Sequence, residues 1–182
     1  MYEDHVPHAP DEERARELLA EGERLLELGR VEEAAEKLRE SIRLNPRSAA
    51  AYNKLGVCYA RLRRWDDARQ QFQAALAVDP AYAPAHSNIG NLHQEAGRLE
   101  EAVACYLEAL RCDPDYYIAH HNLGVVYKKM GRIEEAVTHL KRANRLEKAS
   151  LRDEVRRRGG TRSTSVFWWI AAAAVLAYLL LR

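Results

Sequence analysis

Apolar and small residues recur along this chain at a fixed spacing of thirty-four positions. The pattern is clearest in the stretch 83–114, where Gly90 and His93 lie on one predicted helix and Ala102 and Tyr106 lie on the next. A period in this range is typical of solenoids, in which short supersecondary units stack on one another. The pattern therefore predicts an all-α chain of four helix-turn-helix repeats, at residues 15–48, 49–82, 83–116 and 117–148.

The residues that join and end the helices keep the same register. Gly97-Arg98 separates the two helices of the third unit, and glycine can take the left-handed conformation that ends a helix. In the second unit Arg63 replaces this glycine, so we expect a tighter or less regular turn there, with Trp65 covering the seam. The residues that recur at this spacing are Gly22, Gly56, Gly90 and Gly124, Ala34, Ala68, Ala102 and Ala136, and Pro46, Pro80 and Pro114.

This pattern resembles the tetratricopeptide repeat, in which a small glycine, an aromatic residue, two alanines and a terminal proline fall at these offsets. The resemblance covers residues 15–148 and implies a right-handed solenoid whose first helices line a concave groove for a peptide or protein partner. The first unit has Leu18 and Leu25 at the aromatic positions, and the last has Lys148 in place of the proline. Terminal repeats are normally atypical because each has one face without a neighbour.

The first helix of each unit has positions that do not pack against its partner helix. These positions give a set of candidate groove residues. Asn88 and Asn122 lie one repeat apart and resemble the asparagine ladder with which some such grooves hold a peptide main chain. Amides both donate and accept hydrogen bonds, so they suit an extended backbone. The clamp with which chaperone-binding members grip a C-terminal carboxylate is not matched at Leu19 and Glu23. The candidate groove residues are Asn53, Lys54, Arg61, Ser87, Asn88, Asn91, Gln94, His121, Asn122, Val125 and Lys128.

No set of residues in the sequence predicts catalysis, a metal or a cofactor. Cys58, Cys105 and Cys112 show neither metal nor disulfide spacing. His86 and His120 occupy the same repeat position and are explained by imidazoles packed in a helix interface. The pair His5 and His8, near the start of the chain, has no further ligands to complete a site. We therefore expect no enzyme, no metal site and no cofactor.

The charges favour protein partners over nucleic acid. The chain has 28 basic and 27 acidic residues, a net charge of +1, which gives no overall attraction for a polyanion. Acidic residues are concentrated in residues 1–40 and basic residues in residues 141–162, so head-to-tail association is electrostatically plausible. The predicted function is an adaptor that binds an extended peptide or a partner protein, with a self-associating structural scaffold, and hence a possible homo-oligomer, as the alternative.

The two ends of the chain differ from the repeats. Residues 1–10 are predicted to be a disordered arm, residues 149–158 a capping helix and residues 159–165 a basic, glycine-containing linker. Residues 166–181 are apolar on every side, with arginines before them and aromatic residues at their start. A helix of that length spans about 24 Å, against a hydrocarbon core of about 30 Å.

This apolar segment predicts a C-terminal transmembrane helix, since basic flanks and interfacial aromatics are typical of membrane spans. Membrane lipid is then a predicted partner, and the predicted location is a single-pass membrane protein with cytosolic repeats. A bacterial inner membrane is favoured, and an organelle outer membrane is the alternative. The predicted membrane-anchor residues are Phe167, Trp168, Trp169, Ile170, Val175, Leu176, Tyr178, Leu179 and Leu180.

Overall fold

The computed structural model of the chain describes residues 9–159. These residues form eight α-helices and no β-strand. Each first helix is joined to the second helix of its pair by a short turn, as the repeat pattern predicts. The helices are α1 (Ala9–Glu27), α2 (Val31–Leu44), α3 (Ala49–Arg61), α4 (Trp65–Val78), α5 (Ala83–Glu95), α6 (Leu99–Cys112), α7 (Tyr117–Lys129) and α8 (Ile133–Gly159).

The helices are arranged in two layers. Each odd-numbered helix packs on the helix that follows it, and also on the next odd-numbered helix. The helices α1, α3, α5 and α7 therefore form a continuous inner layer, and equivalent positions of successive repeats come side by side there. An all-α solenoid of this kind presents one extended surface made from several repeats.

Close packing within each pair depends on the recurring glycines and alanines. Ala102 is fully buried, and a Cβ atom built on Gly90 would lie 2.6 Å from Cε1 of Tyr106, far inside van der Waals contact. Gly56 has the same relation to Phe72, at 2.5 Å. The prediction that these small residues let paired helices approach closely is therefore confirmed.

The turn of the second unit is regular, so the expected distortion there is wrong. Arg63 has φ 59°, close to the 75° of Gly97 at the equivalent position. The backbone N–H of Arg63 donates to the carbonyl of Ala60 at 3.0 Å, matching the bond from Gly97 to Gln94, also at 3.0 Å. The packing of the two helices holds a non-glycine residue in the left-handed conformation, in spite of its steric cost.

The predicted capping helix is not a separate element. Residues 149–158 continue α8 without a break, because the stretch contains no proline or glycine to end the helix. Their side chains are exposed as far as residue 157, with Leu151 at 55% and Val155 at 69%. This segment therefore extends the last helix and does not cover the open face of the last repeat. Of the predicted arm, Ala9 and Pro10 belong to α1, and residues 1–8 lie outside the described part.

The predicted membrane location is corrected by the structure. Within residues 9–159, no helix is both long enough and apolar enough to cross a bilayer. The helices of this region alternate a packed apolar side with charged positions, as α1 does with Asp11, Glu12 and Arg24. The segment 166–181, with its predicted membrane-anchor residues, and linker residues 160–165 lie outside the described residues. The predicted single-pass membrane location has no support from the described helices.

Candidate functional site

The inner layer carries a connected row of asparagine side chains, which we call the amide chain: Asn53, Asn88, Asn91 and Asn122. The Nδ2 atom of Asn88 donates to Oδ1 of Asn53 at 2.8 Å, and Nδ2 of Asn91 donates to Oδ1 of Asn88 at 3.3 Å. The Nδ2 atom of Asn122 donates to Oδ1 of Asn91 at 2.9 Å. The amide chain thus connects α3, α5 and α7. Each asparagine donates to the one before it in the sequence, from Asn122 to Asn53.

The amide chain is anchored to the core of the third repeat by Tyr106. The hydroxyl of Tyr106 donates to Oδ1 of Asn91 at 2.8 Å and lies 3.4 Å from Oε1 of Gln94. The ring is fully buried, and burial raises the pKa of its phenol, which therefore stays protonated as a donor. Asn122 also donates to Oγ of the buried Ser87, at 3.4 Å.

Several of the predicted groove residues have structural partners of their own. Asn53 and Ser87 are buried, so they form the floor of the groove and present little surface. Lys54 forms an ion pair with Glu23 at 2.8 Å, and Nη1 of Arg61 donates to the carbonyl of Leu26 at 2.7 Å. These bonds tie α3 to the end of α1.

The remaining predicted residues lie further along the same layer. Gln94 and Val125 are half-buried, whereas His121 and Lys128 are exposed. His121 lines a separate cavity of about 290 Å³ between α7 and α8. His121 therefore lines a different cavity from Lys54 and Arg61, although Ile118 contributes to both.

A concave cavity of about 420 Å³ opens beside the amide chain. Two of its lining residues, Tyr82 and Tyr116, lie one repeat apart and were not among the predicted set. Burial raises the pKa of Tyr116 to about 12 and also raises that of Tyr82, so both are neutral amphipathic contacts. Their thirty-four-residue spacing was the signal that could have found them. The lining residues are Glu23, Leu26, Glu27, Asn53, Lys54, Val57, Arg61, Tyr82, Pro84, Asn88, Tyr116 and Ile118.

A smaller, mainly apolar cavity of about 270 Å³ adjoins the first and shares Val57, Arg61 and Asn88 with it. The indole of Trp65, the ring of Phe72 and the side chain of Leu92 form part of its wall. Trp65 is 38% exposed, so its ring is accessible from solvent. The amide chain therefore contributes to the lining of a large mixed cavity and of a small apolar one.

Comparison with known proteins identifies the repeats of this chain as tetratricopeptide repeats. Models of the tetratricopeptide repeat match residues 19–86 and 117–150, and a model described as TPR repeat matches residues 95–131. A search of curated proteins finds no match to the chain.

Solved structures share the fold along most of the chain. The crystal structure of MamA is 26% identical with a TM-score of 0.61, covering 79% of this chain and 83% of that one. PilF of Pseudomonas aeruginosa is 28% identical with a TM-score of 0.69, covering 76% of this chain and 64% of that one. The first repeat domain of Spaghetti (RPAP3), bound to an HSP90 peptide, is 22% identical with a TM-score of 0.61, covering 71% of this chain and 99% of that one.

Proposed function

Since the chain is a tetratricopeptide-repeat protein, we propose that it is an adaptor that binds a partner protein by holding an extended segment of it along α3, α5 and α7. The repeat fold is that of a protein-interaction module, and the neighbour Spaghetti was solved with a peptide. The observation that carries the proposal is the amide chain, because it is a continuous row of groups that match a peptide backbone.

The amide chain keeps hydrogen-bonding capacity for a ligand. A primary amide has two N–H donors and two acceptor lone pairs. In the chain, Asn88 uses one donor towards Asn53 and one acceptor position towards Asn91. The remaining donor and lone pair are available to a backbone carbonyl and N–H of an extended peptide.

The cavity beside Trp65 supplies the side-chain part of the recognition. Its volume of about 270 Å³ is near the lower end of ligand cavities, so it suits one bulky apolar side chain better than a whole small molecule. The proposed ligand is an extended peptide whose main chain lies along Asn88, Asn91 and Asn122. It inserts one aromatic or branched aliphatic residue into the cavity beside Trp65.

Selection from a random peptide library tests this proposal. The full chain is the bait, and the dissociation constants of the selected peptides are measured for the protein and for the double variant Asn88→Ala/Asn122→Ala. Each lost amide contact is worth on the order of 1 kcal/mol, or about fivefold in affinity. The double variant should therefore bind about 25-fold more weakly, with an unchanged helical circular dichroism spectrum.

The matched control is Gln73→Ala, which removes an exposed amide from α4, outside the inner layer. Equal affinity of the control and the double variant would overturn the groove assignment, as would a library that yields no peptide enriched in a bulky apolar residue. The self-associating scaffold remains the alternative. A molecular mass in solution that rises with protein concentration and is unaffected by the selected peptide would favour it.

A further inference from the structure

A second cluster of functional side chains lies outside the groove, in the third repeat. His86 at the start of α5 faces Glu108 and Cys112 near the end of α6. The ligand-type atoms of these three residues all lie within 4.8 Å of one another, and all three side chains are half-buried. Among the described residues, no other group of three such side chains is this close.

The contact that His86 makes with the backbone leaves one ring nitrogen free to bind a ligand. Its Nε2 atom lies 3.0 Å from the carbonyl oxygen of Pro80. A carbonyl oxygen only accepts hydrogen bonds, so Nε2 carries the proton and Nδ1 of the neutral ring is a free acceptor. Histidines that bind metals are commonly held in this way, with the non-ligating N–H donated to a backbone carbonyl.

The other two residues are four positions apart and therefore share one face of α6. The carboxylate of Glu108 accepts hydrogen bonds from Arg111. The Nε atom of Arg111 lies 3.0 and 2.9 Å from Oε1 and Oε2, and Nη2 lies 2.6 Å from Oε1. Arg111 is 72% exposed, so solvent screens its repulsion of a cation.

The fourth repeat provides an internal comparison. His120 takes the position of His86 and has the same relation to a proline carbonyl, with Nε2 3.2 Å from the oxygen of Pro114. The positions equivalent to Glu108 and Cys112 hold Arg142 and Leu146. The bond to the carbonyl is therefore a feature of the repeat, whereas the carboxylate and the thiol are present beside the histidine in the third repeat and absent from the fourth.

We propose that His86, Glu108 and Cys112 bind a zinc ion. Imidazole nitrogen, thiolate sulfur and carboxylate oxygen are the ligands that zinc takes in proteins, with a water completing a tetrahedral site. Ligand bonds of about 2.0–2.3 Å place neighbouring ligand atoms roughly 3.3–3.8 Å apart, so the three side chains must close by about 1 Å. The thiol proton of Cys112 is released to solvent when the sulfur binds the metal. The site joins the start of α5 to the end of α6.

Metal titration of the full chain tests this inference. The reduced protein is freed of metal with a chelator, and zinc affinity is measured by competition with a chromogenic chelator. Cobalt(II) is titrated in parallel, because a cobalt–thiolate bond gives a charge-transfer absorption that other ligands do not. Loss of an outer-shell partner costs roughly 10–100-fold in metal affinity, so C112S and H86Q, which remove ligands, should each weaken zinc binding by about 100-fold or more.

The controls are C105S and H120Q, which remove a cysteine and a histidine outside the cluster. We expect both to bind zinc as the wild type does and to keep the cobalt–thiolate absorption, which C112S should lose at any cobalt concentration. Melting in the presence of chelator shows whether each variant folds, since all these side chains are only half-buried. Absence of zinc binding, affinity unchanged in C112S and H86Q, or affinity lost in H120Q would each overturn the proposal. Peptide binding by the groove is a separate measurement and is not required for any of these outcomes.

Discussion

Replacement of Gly90 by alanine tests how the core of the third repeat supports the groove. The added Cβ atom would lie 2.6 Å from Cε1 and 2.8 Å from Cδ1 of Tyr106. Carbon atoms pack best at about 3.5–4.0 Å, so the ring has to move by about 1 Å. The ring is fully buried and its hydroxyl is bonded to Asn91, so it cannot turn into solvent.

The net cost follows from three contributions. Overpacking of a filled core costs about 1–3 kcal/mol. Displacement of the ring weakens the 2.8 Å bond to Asn91, which is worth about 1 kcal/mol. Alanine returns about 1 kcal/mol through its higher helix propensity. We therefore expect Gly90→Ala to lower the free energy of unfolding by about 2 kcal/mol, although the same substitution in an exposed helix is stabilising.

Urea unfolding followed by circular dichroism measures this loss. A double-mutant cycle with Tyr106→Phe isolates the share carried by the hydroxyl, since phenylalanine keeps the ring and removes the bond. The cost of Gly90→Ala should fall by about 1 kcal/mol when it is made together with Tyr106→Phe. A Gly90→Ala variant as stable as the wild type, or a cost that is equal in both backgrounds, would refute the coupling between core and groove.

Three further predictions concern the second turn, the helix interface and pH. Arg63→Gly should stabilise the chain by about 0.5–1 kcal/mol in urea unfolding, because φ 59° is strained for arginine; no gain would refute the strain. Ala102→Leu should cost about 1–3 kcal/mol in the same assay, since Ala102 is fully buried, and a neutral result would mean that the interface has spare room. Burial, aided by His120 and opposed by Glu135, lowers the pKa of His139. The unfolded chain then binds more protons, so stability should be full above a pH of about 6.5 and fall below it; His139→Gln should flatten this loss, and an unchanged pH profile would contradict it.

The candidate site was only partly accessible to sequence reasoning. Asn88 and Asn122 were identified because they recur at the repeat spacing, and the structure includes both in the amide chain. The sequence does not show that Asn53 is buried and serves as an acceptor for Asn88, because burial depends on how closely α3 and α5 approach. The predicted groove residues do not include Tyr82 and Tyr116, which line the larger cavity. The two tyrosines lie one repeat apart, so the repeat spacing could have identified them.

The repeat period, the helix pairs and the positions of the turns follow from the sequence alone, because they depend on local and periodic signals. A glycine such as Gly97 ends a helix through its own backbone conformation, and a small residue such as Ala102 marks an interface wherever it recurs. Which side chains of different helices meet depends instead on how the helices pack. The bond between Asn88 and Asn53 and the cluster of His86, Glu108 and Cys112 join residues of different helices, at distances set by how those helices pack. The pattern of residues along one helix does not determine such distances.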